Sequence, residues 1–224
     1  GTNYNLPKSM GLKCPTEFLY GAQYDMDVEC DRDMVELHFV VPYFFAWVIP
    51  LEDRARVGLC AKTNPTPHLD SFVRRLAGEK RLKSRRIMDR SFGIIPVYNP
   101  LLKTQLGSVR LVGDAAGQVK ATTGGGVVMG GIAARNAWAG DYEKRWRRDI
   151  GSELELHLRL YRLIHRLSAR SMDRLFRITA NSSGSLARHG DMDYASKTLS
   201  SLLRNPRFVA EFLLSTPSFI LDLF

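Results

Sequence analysis

From Val109 to Trp138 the chain reads VRLVGDAAGQVKATTGGGVVMGGIAARNAW. The apolar segment Ser108 to Val112 predicts a compact strand that runs directly into Gly113-Asp114-Ala115-Ala116-Gly117. A loop, Thr122-Thr123-Gly124-Gly125-Gly126, comes next. Beyond it Val127, Val128, Ile132, Ala133, Ala134 and Ala137 recur at helical spacing. Strand, glycine turn and helix therefore follow one another within thirty residues. Gly113 and the two alanines leave room for a ligand against the backbone, and Asp114 offers an acceptor to a hydroxyl. The triple glycine puts unobstructed N–H groups at a helix start, where aligned peptide dipoles favour negative charge. No Lys-Ser or Lys-Thr follows the glycines, which argues against a nucleotide phosphate loop. A strand turning tightly into a core helix would explain either glycine cluster alone, but explains the two in succession less well.

Upstream of this stretch the pattern is that of strands. Glu17 to Met26, Asp33 to Val41, Phe45 to Ile49 and Ala55 to Ala61 each read as one, joined by short turns, which predicts an antiparallel meander. In the second, Val35, Leu37, Phe39 and Val41 alternate with Glu36, His38 and Val40, so the first set is expected to face the core. Asn64-Pro65-Thr66-Pro67 stops the sheet, His68 to Leu76 starts a helix, and Ile87 to Val97 is extended again. Downstream, Tyr142 to about Ile178 reads as a helical run. Leu154, Leu158, Tyr161, Ile164 and Leu167 lie on one face and Arg159, Arg162, Arg166 and Arg170 mostly on another. Two shorter helices are expected on either side of Asn205-Pro206. The fold class expected is α+β: residues 1–106 a sheet domain, 107–140 the strand–glycine loop–helix, and 141–224 a helical region.

Composition narrows the function. The 224 residues carry 32 Lys+Arg against 23 Asp+Glu, a net charge of +9, with 18 Gly and 10 Pro, which excludes acidic disorder and low-complexity or collagen-like chains. Cys14, Cys30 and Cys60 show no CxxC spacing, which argues against a disulfide scaffold or a zinc site and for a reducing compartment. The histidines show no metal-ligand spacing, and no metal is expected. A spanning helix needs about 20 apolar residues. The run Phe39 to Leu51 is broken by Pro42 and Pro50, and Phe208 to Phe224 by Glu211, Pro217 and Asp222. The latter is expected to close a core, or else to lie on a membrane surface. Basic clusters at Arg74 to Arg90 and Lys144 to Arg177 read as solvated helix faces, or as docking points for anionic headgroups or a substrate phosphate. Without interleaved aromatics or a recognised motif, nucleic acid is not expected as a partner.

The 109–138 segment resembles the second flavin-contacting motif of FAD-dependent oxidoreductases with the hydroxybenzoate-hydroxylase-like fold. It is most similar there to the geranylgeranyl reductase family, including archaeal digeranylgeranylglycerophospholipid reductases. A second stretch agrees: Tyr43-Phe44-Phe45-Ala46-Trp47-Val48-Ile49-Pro50, followed by Arg56-Val57-Gly58-Leu59, resembles the family's aromatic-x-Trp-x-Phe-Pro motif and the Val-Gly strand after it. The match is good from Tyr20 to about Trp138 and loose in the helical tail. Phe45 stands where the family commonly has Tyr, Ile49 where it has Phe, and Ala121 where a Pro often precedes the Thr-Gly pair.

The resemblance implies a split FAD-binding domain, with Gly113, Asp114, Ala115, Ala116, Gly117, Thr123, Gly124, Gly125, Gly126 and Val127 as cofactor contacts. It implies Tyr43, Phe45, Trp47, Ile49 and Pro50 as the wall of a lipid cavity. The implied reaction is reduction of C=C bonds in polyprenyl lipid chains by hydride from reduced FAD. The implied setting is lipid biosynthesis in the cytoplasm or at the membrane surface, and the electron donor, reduced nicotinamide or a ferredoxin, stays open. No catalytic residue presents itself, since His38 and Cys60 read as packed strand residues. The GxGxxG fingerprint that binds the adenylate half of FAD is missing. Gly1-Thr2-Asn3-Tyr4 looks like the residues that follow the family's Gly-Ala-Asp-Gly turn. The chain is therefore expected to be the C-terminal portion of a longer enzyme, inactive alone and binding FAD weakly or not at all. Two other readings stay open: a different flavoprotein of this fold, such as a quinone-linked dehydrogenase or a monooxygenase, or a lipid-binding module without flavin.

Overall fold

The computed structural model describes residues 1–222. The chain divides into two compact units, Thr16–Val97 and a second made of Asn3–Pro15 with the residues from Tyr98 onward. A short helix, α1 (Asn5–Ser9), belongs to the second.

The first unit is a five-stranded antiparallel sheet built from β1 (Phe18–Val28), β2 (Glu36–Val41), β3 (Phe44–Pro50), β4 (Ala55–Ala61) and β5 (Leu82–Pro96), with helix α2 (Thr66–Gly78) between β4 and β5. The strand order is β2-β3-β4-β1-β5. The expected meander therefore holds for β2, β3 and β4, whereas β1 pairs with β4 and β5 rather than with β2. Burial explains the difference: β1 is mostly covered and belongs inside the sheet, while β2 is largely exposed and belongs at an edge.

Leu69, Phe72 and Leu76 of α2 lie fully or almost fully buried on one face of this sheet, against Ala22, Ala46, Val48, Val57 and Leu59. Each such large apolar side chain contributes about 1.5–3 kcal/mol by leaving water. The face expected for β2 is reversed up to His38, while Val41, beyond a register shift, is buried in the core as expected. Glu36 pairs with Val48 and His38 with Ala46, so these two polar residues share the core side, while Leu37, opposite Trp47, faces away at 48% exposure. Glu36 is tolerated there because Arg81 clamps its carboxylate at 2.5 and 2.9 Å, and the His38 ring packs 4.9 Å from that of Phe72. The Arg81 guanidinium and the His38 hydrogen bond hold the Glu36 carboxyl below the usual carboxylate range.

The second unit is mostly helical. A two-residue ladder, β6 (Gln105–Leu106) with β7 (Val109–Arg110), is the strand content it has among the described residues, shorter than the predicted Ser108–Val112 strand. Beyond the ladder Leu111 N–H donates to Thr104 O at 2.8 Å. Helices α3 (Val127–Arg135), α4 (Tyr142–Trp146) and α5 (Ser152–Ile164) follow, α4 and α5 joined through a π turn at Arg147–Gly151. The predicted long run breaks at His165–Ser168, where Ser168 caps α6 (Ala169–Ala180) by accepting from Ser171 N–H. Leu154, Leu158 and Tyr161 are buried as the periodicity predicts. Three helices then occur where two were expected: α7 (Ser183–His189), α8 (Ala195–Leu203) and the 16-residue α9 (Pro206–Leu221). Gly190, whose absent Cβ would fall 2.5 Å from Leu186 O, ends α7. Asn205 caps α9 with Pro206 at its first turn. Ile178, Leu202, Phe208 and Phe219 form a small core. The remaining residues of the C-terminal apolar stretch, Leu223 and Phe224, lie outside the described residues.

Candidate functional site

In the second unit, Gly113–Ala116 make one turn of 3-10 helix, entered from extended Val112 and left through Gly117. Gly113 (φ +64°) and Gly117 (φ +67°) both lie in the left-handed region, where glycine is favoured. The turn is pinned from behind. Gly113 N–H donates to Gln118 Oε1 at 2.8 Å, Gln118 Nε2 donates to Tyr142 Oη at 3.1 Å, and the Tyr142 hydroxyl donates to Leu111 O at 2.5 Å. Gln118 is fully buried, so its two bonds replace water it has lost. From the other side the Tyr4 hydroxyl donates to Asp114 O at 2.8 Å. Burial and the nearby Asp114 carboxylate push the Tyr4 phenol up to about 12.

The glycine loop closes onto this turn. Gly124 (φ +69°) donates to Lys120 O at 2.9 Å, and Lys120 N–H donates back to Gly125 O at 3.1 Å. A Cβ at Gly126 would stand 2.9 Å from Asp114 Oδ1, and one at Gly130 would stand 3.1 Å from Gly113 Cα. The two glycine clusters are thus packed against each other, with the Asp114 carboxylate beside the start of α3. That start has no side-chain cap, and Val127 at its head is 92% exposed. Unspent N–H donors beside a carboxylate acceptor suit a ligand carrying both hydroxyls and negative charge. Gly113, Asp114, Ala115, Ala116, Gly117, Gly124, Gly125, Gly126 and Val127 are all on this surface or its backing, while the Thr123 hydroxyl accepts from Gly125 N–H at 3.4 Å.

Behind the loop lies a brace not anticipated from the sequence. Lys120, 5% exposed, donates to Met192 O at 3.1 Å and forms an ion pair with Asp193. His157, 2% exposed, has Nδ1 2.6 Å from Thr122 Oγ1 and Nε2 3.3 Å from Asp193 O. Burial lowers the His157 pKa. The one available signal was a polar residue at a buried register of α5, between Leu154 and Leu158.

In the first unit Phe45, Trp47 and Ile49 alternate with Phe44, Ala46 and Val48, which puts the first three on the sheet face away from α2. The Phe45 and Trp47 rings meet edge to face at 6.2 Å. Beside Trp47 lies a cavity of about 210 Å³ with Gly21, Cys60 and Gly93 among its lining residues. Gly58 has no room for a Cβ, which would fall 2.6 Å from the Trp47 ring. The indole Nε1 of Trp47 is buried without a hydrogen-bond partner. Tyr43, in the β2–β3 turn with φ +68°, carries Lys62 Nζ 4.3 Å above its ring, and Pro50 ends β3. His38 bonds Glu36 on the opposite face, and burial pushes the Cys60 thiol up to about 12. Among the described residues no group of three or more His, Cys, Asp or Glu side chains is arranged to hold a metal ion.

This α+β arrangement is that of the geranylgeranyl reductase-like fold. The structure superposes on a geranylgeranyl bacteriochlorophyll reductase-like protein from Thermoplasma acidophilum with a TM-score of 0.66 at 18% identity, covering 92% of this chain and 54% of that one. No family model matches the chain. The chain is 30% identical over 202 residues to the digeranylgeranylglycerophospholipid reductase of Methanocaldococcus jannaschii, covering 78% of this chain and 52% of that protein. It is also 30% identical over 207 residues to digeranylgeranylglycerophospholipid reductase 2 of Methanothermobacter thermautotrophicus, covering 79% and 52%. Over about four fifths of its length the chain is thus similar to proteins of the geranylgeranyl reductase family. It spans about half the length of the curated relatives it matches.

Proposed function

We propose that this chain supplies the ribityl and isoalloxazine contacts of a FAD site, together with the lipid-facing sheet, of a reductase that saturates C=C bonds in polyprenyl lipid chains. The observation that carries the reading is the mutual packing of two glycine clusters around Asp114 at an uncapped helix start, in a chain 30% identical to named digeranylgeranylglycerophospholipid reductases.

Each residue then has a definite task. Asp114 accepts from a ribityl hydroxyl. Gly113, Ala115, Ala116 and Gly117 let the ring system approach the backbone, and the Thr123–Gly125 loop keeps its far side free of side chains. The N–H groups at Gly126 and Val127 face the pyrimidine edge, where negative charge on the reduced ring is stabilised by the helix dipole. When bound, the flavin supplies the hydride. Tyr43, Phe45, Trp47, Ile49 and Pro50 form an apolar wall that holds an isoprenoid chain and excludes water. In this reading the sheet domain serves the substrate, residues 107–140 serve the cofactor, and the helices after 141 brace the glycine loop.

Among the described residues no helix is long and apolar enough to cross a membrane. The outer stripe of α9 is nonetheless apolar and exposed, with Ala210, Leu213, Leu214, Pro217 and Leu221 in one line. We infer that it rests on the lipid surface that holds the substrate.

The decisive experiment fuses this chain to the part of the M. jannaschii relative that it does not match, then supplies chemically reduced FAD and a geranylgeranyl lipid. A mass gain of two hydrogens per double bond is expected, and no gain removes the reductase reading. FAD titrated into the chain alone is expected to bind weakly or not at all, and tight binding would refute the half-site.

A further inference from the structure

The hairpin of α7 and α8 has two unlike sides. One side, with Leu186, Met192, Ala195 and Leu199, lines an apolar pocket next to Thr122 and His157. The other carries a groove of about 650 Å³. Ser185, Arg188 and His189 reach it from one face of α7, and Ser196, Ser200 and Arg204 from one face of α8, at spacings of three and four residues.

Two arginines without a carboxylate partner meet serine hydroxyls in this groove; single arginines such as Arg74, Arg162 and Arg166 also lack an ion pair among the described residues, but the groove brings two together on one concave surface. Arg75, Arg145, Arg147, Arg159, Arg177 and Arg207 each hold a carboxylate four residues away in sequence. Among the described residues Arg188 and Arg204 have no such partner, and no Asp or Glu lines the groove. Lys197, which also borders it, is already held by Asp191 at 2.9 Å. The groove thus presents two uncompensated guanidinium groups, the His189 imidazole and serine hydroxyls. A guanidinium fork offers paired N–H donors, and hydroxyls supply the additional donors that a tetrahedral oxyanion accepts but a planar carboxylate has less use for. No Phe, Tyr or Trp lines it, so the broad stacking platforms that hold successive bases are not provided.

We propose that this groove binds a phosphoryl group, with Arg188 and Arg204 as its principal ligands and Ser196 and Ser200 as hydroxyl donors. The site lies outside the glycine turn and the sheet cavity and does not depend on the reductase reading. It does share α8 and the segment leading into it with the brace: Asp193 holds Lys120 and His157, and Ser196 N–H donates to buried Glu153 at 3.0 Å.

The test uses the full chain labelled with nitrogen-15 and two probes, inorganic phosphate and monomeric dihexanoyl phosphatidic acid, with equimolar chloride as the ionic control. Saturable shifts confined to α7 and α8 are expected, weakened about tenfold or more in the Arg188→Gln, Arg204→Gln double variant. Shifts with both probes establish a general phosphoryl site. A response to the lipid alone assigns it to a headgroup, and a response to phosphate alone to a free ligand. Both groups are exposed, and an unchanged amide spectrum elsewhere verifies the fold. The proposal is overturned if the double variant binds like the parent, if chloride gives the same shifts, or if Arg159→Gln, outside the groove, weakens binding equally.

Discussion

His157 on α5 and Thr122 in the glycine loop are joined by a 2.6 Å contact between imidazole Nδ1 and hydroxyl Oγ1, although 35 residues separate them. The other ring nitrogen lies 3.3 Å from Asp193 O. With Nε2–H donating to that carbonyl, a neutral ring accepts the Thr122 hydroxyl proton at Nδ1, and a protonated ring has no acceptor left to offer.

A pH dependence of stability follows. Burial lowers the folded-state pKa of His157 from 6.5, so below about pH 6.5 the unfolded chain binds a proton that the folded chain refuses. Stability is complete above that range and falls as the pH drops through it, with a slope of up to about 1.4 kcal/mol per pH unit. Carboxylates held low by partners, such as Asp25 beside Arg56 and Glu36 beside Arg81, lose their contribution only at lower pH, below their ordinary 3.8 and 4.5. Urea unfolding between about pH 5 and 8 measures the effect. His157→Gln is expected to flatten it, and an equally steep dependence in the variant would assign the proton elsewhere.

The raised pKa of Cys60 gives a chemical prediction. With its thiol pushed up to about 12 by burial, almost no thiolate exists at neutral pH, and the side chain is 1% exposed. Maleimide added to the native protein is expected to label the half-buried Cys30 ahead of Cys60. Cys60 should become reactive only on unfolding, as peptide mass spectrometry would record. Rapid native labelling of Cys60 would mean that the sheet face opens.

The two faces of β2 show where sequence reading stops. The glycine turn at 113–117 and the strands at 18–28, 44–50 and 55–61 were legible because their signals are local: glycine runs, aromatic alternation, turns. The Val35-Leu37-Phe39 alternation is just as clear but points away from α2, because Arg81, from the turn after α2, neutralises Glu36 on the core side. The brace was illegible for the same reason, since Lys120 meets Asp193 across 73 residues. Mutational stability separates the two faces. Leu59→Ala, at a fully buried site, is expected to cost about 2–5 kcal/mol. Leu37→Ser is expected to cost less than about 1 kcal/mol. Equal losses in urea melts would restore the face that periodicity predicts.

The outer stripe of α9 gives the last prediction. Phe208, Ser215 and Phe219 point inward, while Leu213, Leu214 and Leu221 are 64%, 82% and 80% exposed. Arg207 and Glu211 neutralise each other at 2.9 Å beside the stripe rather than within it. Burying three leucines in a headgroup boundary is worth several kcal/mol by area, which supports reversible attachment but not insertion. With a net charge of +9, the chain should prefer anionic over zwitterionic vesicles, and less so at high salt. In a flotation assay Leu213→Glu with Leu214→Glu is expected to lower binding at least about tenfold while leaving the helical circular dichroism unchanged, because neither residue belongs to the small core. If the double variant floats as well as the parent, the arginine-rich faces alone hold the chain to the membrane and α9 is covered by protein instead.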